Sequence, residues 1–266
     1  MKSRVLTAFG LIPFVLGAFF CASPWPLFAL SACVSIVCAI ELAALLKSPG
    51  PYLGVLWAFV AFLPRHYKYS WPYDEQVTVV GYFILGLVCT LLLTQKKTRV
   101  SFLSGTFAAF WFMIPLICLN ALHFMHHGAN LWNYRTPALL AFVPLWGGDT
   151  AAIFVGKAFG KHPLAHAISP NKTVEGGVAN VVSCLAVALP LGIWVGTPLW
   201  LAALCGLVAG FLGQMGDLFE SYVKRRVGVK DSGKLLPGHV GMLDRIDSIL
   251  FTAPFVYLIL SLVKYP

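Results

Sequence analysis

The chain is written in long apolar runs separated by short polar breaks. The first run, Val5 to Ile40, contains no charged residue. It is too long for one bilayer crossing, which takes about 20 residues, and it divides at Ser23-Pro24-Trp25-Pro26. Reading all the runs between proline, glycine and charge breaks predicts nine helices, near residues 5–22, 27–46, 52–63, 77–94, 100–122, 137–156, 177–195, 199–219 and 248–263. The expected fold is all-α: a polytopic transmembrane helix bundle forming one integral-membrane domain over residues 1–266. Its N-terminal spans fill 1–135, and 136–266 holds the later spans with the longer polar breaks between them.

Composition agrees. Only 11% of residues are charged and 59% are hydrophobic, whereas a soluble domain carries about 25% charged residues. Lys2 and Arg4 before an apolar stretch resemble a secretory leader, but more spans follow and no small-x-small cleavage site interrupts them. All seven cysteines lie in apolar runs without a CxxC pair, and read as small hydrophobes in the bundle.

The basic residues test the span count. With a cytoplasmic N-terminus, nine spans leave only Arg65, Lys68, Arg135 and Lys264 of the 19 lysines and arginines on the opposite side. That is the asymmetry of the positive-inside rule. The net charge of +9 therefore gathers on the cytoplasmic face. No aromatic-basic interleaving or nucleic-acid motif accompanies it, so nucleic acid is not an expected partner. Anionic lipid headgroups and a polyphosphate are.

Three polar clusters fall on that face. Gly147-Gly148-Asp149-Thr150 lies inside the sixth span, where a carboxylate is expensive and is usually paired or functional. Ser169-Pro170-Asn171-Lys172-Thr173-Val174-Glu175-Gly176-Gly177 precedes the seventh span. Ser169 or Asn171 is placed to cap that helix, and Thr173 or Glu175 to satisfy its free N–H groups; Lys172 beside these amides suits a phosphate. The third cluster begins at Gly216-Asp217 and runs through "DSGKLLPGHVGMLDRID" at 231–247. Asp217, Ser221 and Lys224 share one helical face. Asp244 and Asp247 converge if they begin the ninth helix. Carboxylates suited to Mg²⁺, cations for phosphates and glycines for close backbone approach are the parts of a nucleotide phosphoryl-transfer site. No GxxxxGK[ST] P-loop is present.

Two other readings compete. A CTP-dependent polyprenol or phytol kinase would release CDP rather than pyrophosphate. An ion-coupled transporter would use Asp149 and Glu41, yet most acidic residues cluster at one end of the spans rather than at the midplane.

The sequences Ser221-Tyr222-Val223-Lys224-Arg225, Lys230-Asp231, Leu236-Pro237-Gly238-His239 and Gly241-Met242-Leu243-Asp244-Arg245-Ile246-Asp247 resemble the signature of the phosphatidate cytidylyltransferase (CDP-diacylglycerol synthase) family. Gly148-Asp149-Thr150 and Ser169-Pro170-Asn171-Lys172-Thr173 are similar to further family motifs. Val240 stands where the family pattern has glycine, and Val174 where it usually has tryptophan. The resemblance implies transfer of CMP from CTP to phosphatidate, giving CDP-diacylglycerol and pyrophosphate in phospholipid biosynthesis. It implies a bacterial cytoplasmic membrane, with the active site facing the cytoplasm and CTP, phosphatidate and membrane lipid as partners; a homodimer is compatible with it. Mg²⁺ is the expected cofactor, with scope for a second, monovalent or divalent, cation. The expected catalytic set is Ser221, Lys224, Arg225, Lys230, Asp231, His239 and Arg245, with Asp149, Asn171 and Lys172 on the substrate. Asp217, Asp231, Asp244 and Asp247 are candidate metal ligands, and spacing does not say which of them touch the ion.

Overall fold

Long apolar runs become long helices because a bilayer leaves the backbone no other partner than itself. The computed structural model describes residues 13, 15–20, 25–51, 99–125, 135–233 and 241–263. In chain order its helices are α1 (Trp25–Leu46), α2 (Arg99–Ala108), α3 (Ile114–Phe124), α4 (Ala138–Phe159), α5 (Val174–Val195), α6 (Leu199–Arg226) and α7 (Leu243–Leu262). A π-helical turn, Ala109–Met113, joins α2 to α3. Six stretches among the described residues are long and apolar enough to cross a membrane: Pro26–Leu46, Leu103–His123, Ala138–Phe159, Val174–Val195, Leu199–Arg226 and Leu243–Leu262. The protein is an integral-membrane helical bundle. The expected spans at 52–63 and 77–94, and most of the one at 5–22, lie outside the described residues.

The chain divides into two compact units, residues 31–117 and residues 1–30 with 118–266. In the smaller unit the chain after α1 meets α2 closely. Ser48 and Ser104 share a hydroxyl hydrogen bond of 2.8 Å, and a Cβ on Gly105 would stand 2.8 Å from the Gly50 carbonyl oxygen. The larger unit holds α4 to α7 and all the polar clusters described below. Its outward faces carry Phe154, Ile193, Phe211 and Leu262, each well exposed. Apolar surface of this extent suits lipid rather than water.

Three helix boundaries differ from expectation in ways that bring residues of the polar clusters into a helix. α5 begins at Val174 rather than 177, because the Thr173 side chain caps it by accepting the Gly176 N–H at 3.2 Å. Ser169 and Asn171, expected as alternative caps, lie instead in a strand. α6 runs to Arg226, well past 219, with Lys224, Arg225 and Arg226 in its last turn, where cations meet the negative end of the helix dipole. α7 begins at Leu243, so Asp244 and Asp247 lie in its first turns.

The helices are joined by an element the apolar pattern did not predict, a two-stranded antiparallel hairpin of β1 (Pro163–Ala165) and β2 (Ser169–Thr173). Pro163 pairs with Thr173 and Ala165 with Ser169. The Val174 N–H donates to the His162 carbonyl at 2.8 Å, closing the base of the hairpin on the first residue of α5. At the other end of α5, Gly196 (φ 87°) adopts the left-handed conformation that ends a helix, and Thr197 N–H donates back to Gly192 O.

Candidate active site

The site begins with glycines that let helices touch. A Cβ on Gly148 of α4 would stand 2.5 Å from Cys184 Sγ and 2.9 Å from the Asn180 amide of α5. On Gly176 of α5 it would stand 2.9 Å from the Ala152 carbonyl of α4. On Gly216 of α6 it would collide with the Asp247 carbonyl of α7. Small residues at such crossings are how helices approach closely in a bilayer. Two of these close approaches bring acidic residues toward a neighbouring helix: that of Gly148 brings Asp149, and that of Gly216 brings Asp217 and Asp247.

α4, α5, α6 and the hairpin enclose a cavity of about 420 Å³, within the ordinary range for a small-molecule site. Its wall carries Asp149, Lys157, Asn171, Lys172, Thr173, Asn180, Gln214 and Asp217, with Ala152, Ile153 and Leu164 as apolar surface. β2 delivers Lys172 to Asp217 of α6, and the two form an ion pair in which both side chains stay partly exposed. Asn180 Nδ2 donates to Asp149 Oδ1 at 3.2 Å. Asp247, buried behind them, lies within Coulombic reach of Asp217, Asp149 and Lys172. One of its oxygens accepts from the Ser248 N–H at 2.7 Å. One carboxylate therefore pairs with Lys172, and two more lie within its electrostatic reach. The hairpin is held in place by His162, whose Nδ1 lies 2.7 Å from Glu175 Oε1 and whose backbone N–H donates to Oε2 at 3.3 Å.

A second cluster lies one to two turns further along α6. Lys224 donates to Glu220 Oε2 at 3.0 Å and forms an ion pair with Asp244 Oδ1. The other Asp244 oxygen accepts from Ser232 N–H at 3.2 Å, Ser232 Oγ at 2.9 Å and Gly241 N–H at 2.9 Å. This cluster is nearly closed to solvent: the Glu220 side chain is 2% exposed, Asp244 8% and Lys224 11%. It clasps both ends of the loop between α6 and α7.

The expected site residues thus divide. Asp149, Asn171, Lys172 and Asp217 line the cavity. Asp247 backs it, and Lys224 and Asp244 form the clasp. Arg225 Nη1 donates to the Val229 carbonyl at 3.2 Å, fastening the end of its own helix. Ser221 is half-buried, while Lys230, Asp231 and Arg245 are exposed. His239 and Val240 lie outside the described residues. Among the described residues, no group of three or more His, Cys, Asp or Glu side chains forms a ready-made metal site.

Sequence reasoning passed over Asn180, Gln214 and Glu220. Glu220 carried a usable signal, since Glu followed by Lys four residues later pairs on a helix face. Asn180 and Gln214 were visible as amides inside apolar spans, but only packing shows that both face one cavity.

Comparison with known proteins identifies the family. Residues 2–263 match the Cytidylyltransferase family. The chain is 36% identical to a phosphatidate cytidylyltransferase of Staphylococcus saprophyticus over 224 residues, covering 81% of this chain and 80% of that one. It is also 36% identical to the phosphatidate cytidylyltransferase of Bacillus subtilis over 225 residues, 82% of this chain and 80% of the relative. A Staphylococcus aureus protein of the same name is 31% identical over 210 residues, 78% of each chain. The chain belongs to the cytidylyltransferase family.

Proposed function

We propose that this member of the family is a CTP-dependent nucleotidyltransferase that forms CDP-diacylglycerol from CTP and phosphatidate. The observation that carries the reading is the meeting of Lys172, Asp217 and Asp149 around one cavity in a membrane-embedded bundle. Cations there balance phosphate charge, carboxylates suit a metal, and the setting lets a lipid headgroup reach the same place.

A phosphate oxygen of phosphatidate attacks the α-phosphorus of CTP. The new P–O bond forms the pyrophosphate link of the product, the bond between the α-phosphorus and its bridging oxygen breaks, and pyrophosphate leaves. The nucleophile is already an anion, so the protein needs no strong base. It must align two anions and offset their repulsion. Lys172 is the cavity lysine already held against a carboxylate, and Lys157 lies on the same wall. Phosphate binding at Lys172 would exchange one anionic partner for another. The first-turn amides of α5, just beyond Lys172, add the partial positive charge of a helix N-terminus.

The carboxylates fit a divalent cation. Asp149 and Asp217 present hard oxygen donors on the cavity wall with Asp247 behind them. Mg²⁺ usually takes one or two carboxylates and completes its shell with water and substrate phosphates, so a three-residue protein cage is not required. We assign Asp217 and Asp247 as the first candidates to hold it and Asp149 as the next. Asp244 joins that set only by releasing Lys224. When bound, the ion neutralises charge on the triphosphate; a second cation would serve the same end.

The same reading places the hairpin and the α6–α7 loop on the cytoplasmic face of a bacterial cytoplasmic membrane, in a nine-span chain with its N-terminus inside. A cysteine at His166 should resist an impermeant maleimide added outside, and one at Pro198 should react; the opposite pattern contradicts this sidedness. The test of function is the purified chain with labelled CTP, phosphatidate and Mg²⁺. Liponucleotide and pyrophosphate in equal amounts are expected. Release of CDP with a phosphorylated lipid alcohol would make the protein a kinase.

A further inference from the structure

Gln214 is an amide in the middle of an apolar helix, one turn before Asp217 and on the same cavity wall. Its Nε2 makes two hydrogen bonds, to the Gly177 carbonyl of α5 at 2.9 Å and to the Gly210 carbonyl of its own helix at 2.8 Å. These consume both N–H donors of the side chain. They also fix which way the amide faces, because the flipped amide would set its oxygen against two carbonyl oxygens. Oε1 is left as a pure acceptor with a fixed direction, and among the described residues no donor reaches it. It lies 2.7 Å from the point where a Cβ on Gly177 would stand, with a Leu164 methyl 3.9 Å from the same point. The absent side chain at 177 is what makes room for the carbonyl.

An acceptor held in this way needs a donor from whatever fills the cavity. Phosphates and acyl esters offer acceptors. A nucleotide offers donors in two places, the amine of its base and its ribose hydroxyls. The apolar part of the cavity wall is Leu164, Ala152 and Ile153, which suits a flat ring better than a polyhydroxylated one. Gln214 and Lys172 line the same cavity, so a nucleotide whose phosphates meet Lys172 can lay its base against the wall that carries Gln214. We propose that the Gln214 side-chain carbonyl accepts a hydrogen bond from the exocyclic amine of cytosine, and that it is a specificity-determining residue for CTP over UTP. Uracil carries a carbonyl at that position, so two oxygens would face each other with no proton between them. Such a mismatch rejects the wrong substrate more strongly than a missing methyl group does.

This inference rests on the cytidylyl-transfer reading, and the experiment separates the two. Initial rates of liponucleotide formation are measured for the full-length protein with CTP, UTP and 2′-deoxy-CTP at saturating phosphatidate. The wild type should prefer CTP to UTP by on the order of a hundredfold or more. Gln214→Leu should cut that ratio at least about tenfold, mostly through lost kcat/KM for CTP, and leave the ratio of CTP to deoxy-CTP unchanged. Gly177→Ala pushes the same carbonyl aside without removing it and should shift the ratio in the same direction, so it decides the matter if Gln214→Leu does not fold. Equal losses for CTP and UTP would make Gln214 a helix tie and overturn the inference alone, as would collapse of the CTP to deoxy-CTP ratio in its place. A wild type that forms no liponucleotide from any of the three overturns the cytidylyl-transfer reading and this inference together.

Discussion

The cavity cluster and the clasp are built from the same residue types, α6 contributes adjoining turns to both, and they are opposites in exposure. In the clasp, two carboxylates share one lysine, the outer oxygen of Asp244 takes three further donors, and almost nothing is exposed. In the cavity, Lys172 and Asp217 pair at a wall open to a ligand, and Asp149 has one amide donor. A paired cluster in a dry place fixes a shape, because breaking a pair there leaves a buried charge alone. A pair that stays partly exposed at a cavity can exchange partners with a substrate. Proximity to the signature motif therefore says less about which groups are open to a substrate than their exposure does.

The comparison breaks most visibly if the cavity carboxylates prove dispensable. Asp217→Asn keeps size and hydrogen-bonding shape but removes the charge offered to a divalent ion. Charge neutralisation of that kind is worth several kcal/mol in the transition state, and each 1.36 kcal/mol is about tenfold in rate. Turnover should fall at least about a hundredfold with the thermal unfolding midpoint little changed. Near-normal turnover would remove Asp217 from the chemistry.

Lys224→Met should act the other way round, on stability first. It leaves Glu220 and Asp244 buried without their cation, a loss of about 3–5 kcal/mol for a broken buried pair. The expected result is a much lower unfolding midpoint in detergent, partly recovered by adding Glu220→Gln. If the variant instead unfolds normally but binds CTP poorly, Lys224 belongs with the substrate. Asp244→Asn sharpens the same boundary: activity recovered by raised Mg²⁺ would place Asp244 on the ion, and lost stability that Mg²⁺ does not restore would keep it in the clasp.

The smallest effect expected is at the base of the hairpin. Thr173→Val removes the oxygen that caps α5, for about 1 kcal/mol. Because β2 runs directly into that cap, KM for CTP should rise modestly while kcat holds. An unchanged KM would mean the hairpin is positioned by the His162–Glu175 contacts alone.

Much of this was legible in the sequence for one reason: in a chain with 11% charged residues, each charge inside an apolar run stands out. Asp149 and Asp217 stand out in that way, and Lys172 and Asp247 as members of the short polar clusters between the runs. The start of α5 was misplaced because Val174-Glu175-Gly176 reads as loop, and only the Thr173 cap reveals the helix beneath. The partition between cavity and clasp was not legible. Periodicity puts Asp217, Ser221 and Lys224 on one face but cannot say what each meets. That depends on where α7 crosses α6, and the crossing is set by the missing side chain of Gly216 against the Asp247 backbone.

The division of labour has one direct test, the position of the triphosphate. A structure of the full chain with Mg²⁺ and α,β-methylene CTP should show phosphate oxygens within hydrogen-bonding distance of Lys172 Nζ, inside the cavity bounded by Asp149 and Asp217. Lys224 should remain on Glu220 and Asp244. Phosphates seated instead on Lys224 and Arg225, with the cavity beside Lys172 empty, would contradict the account.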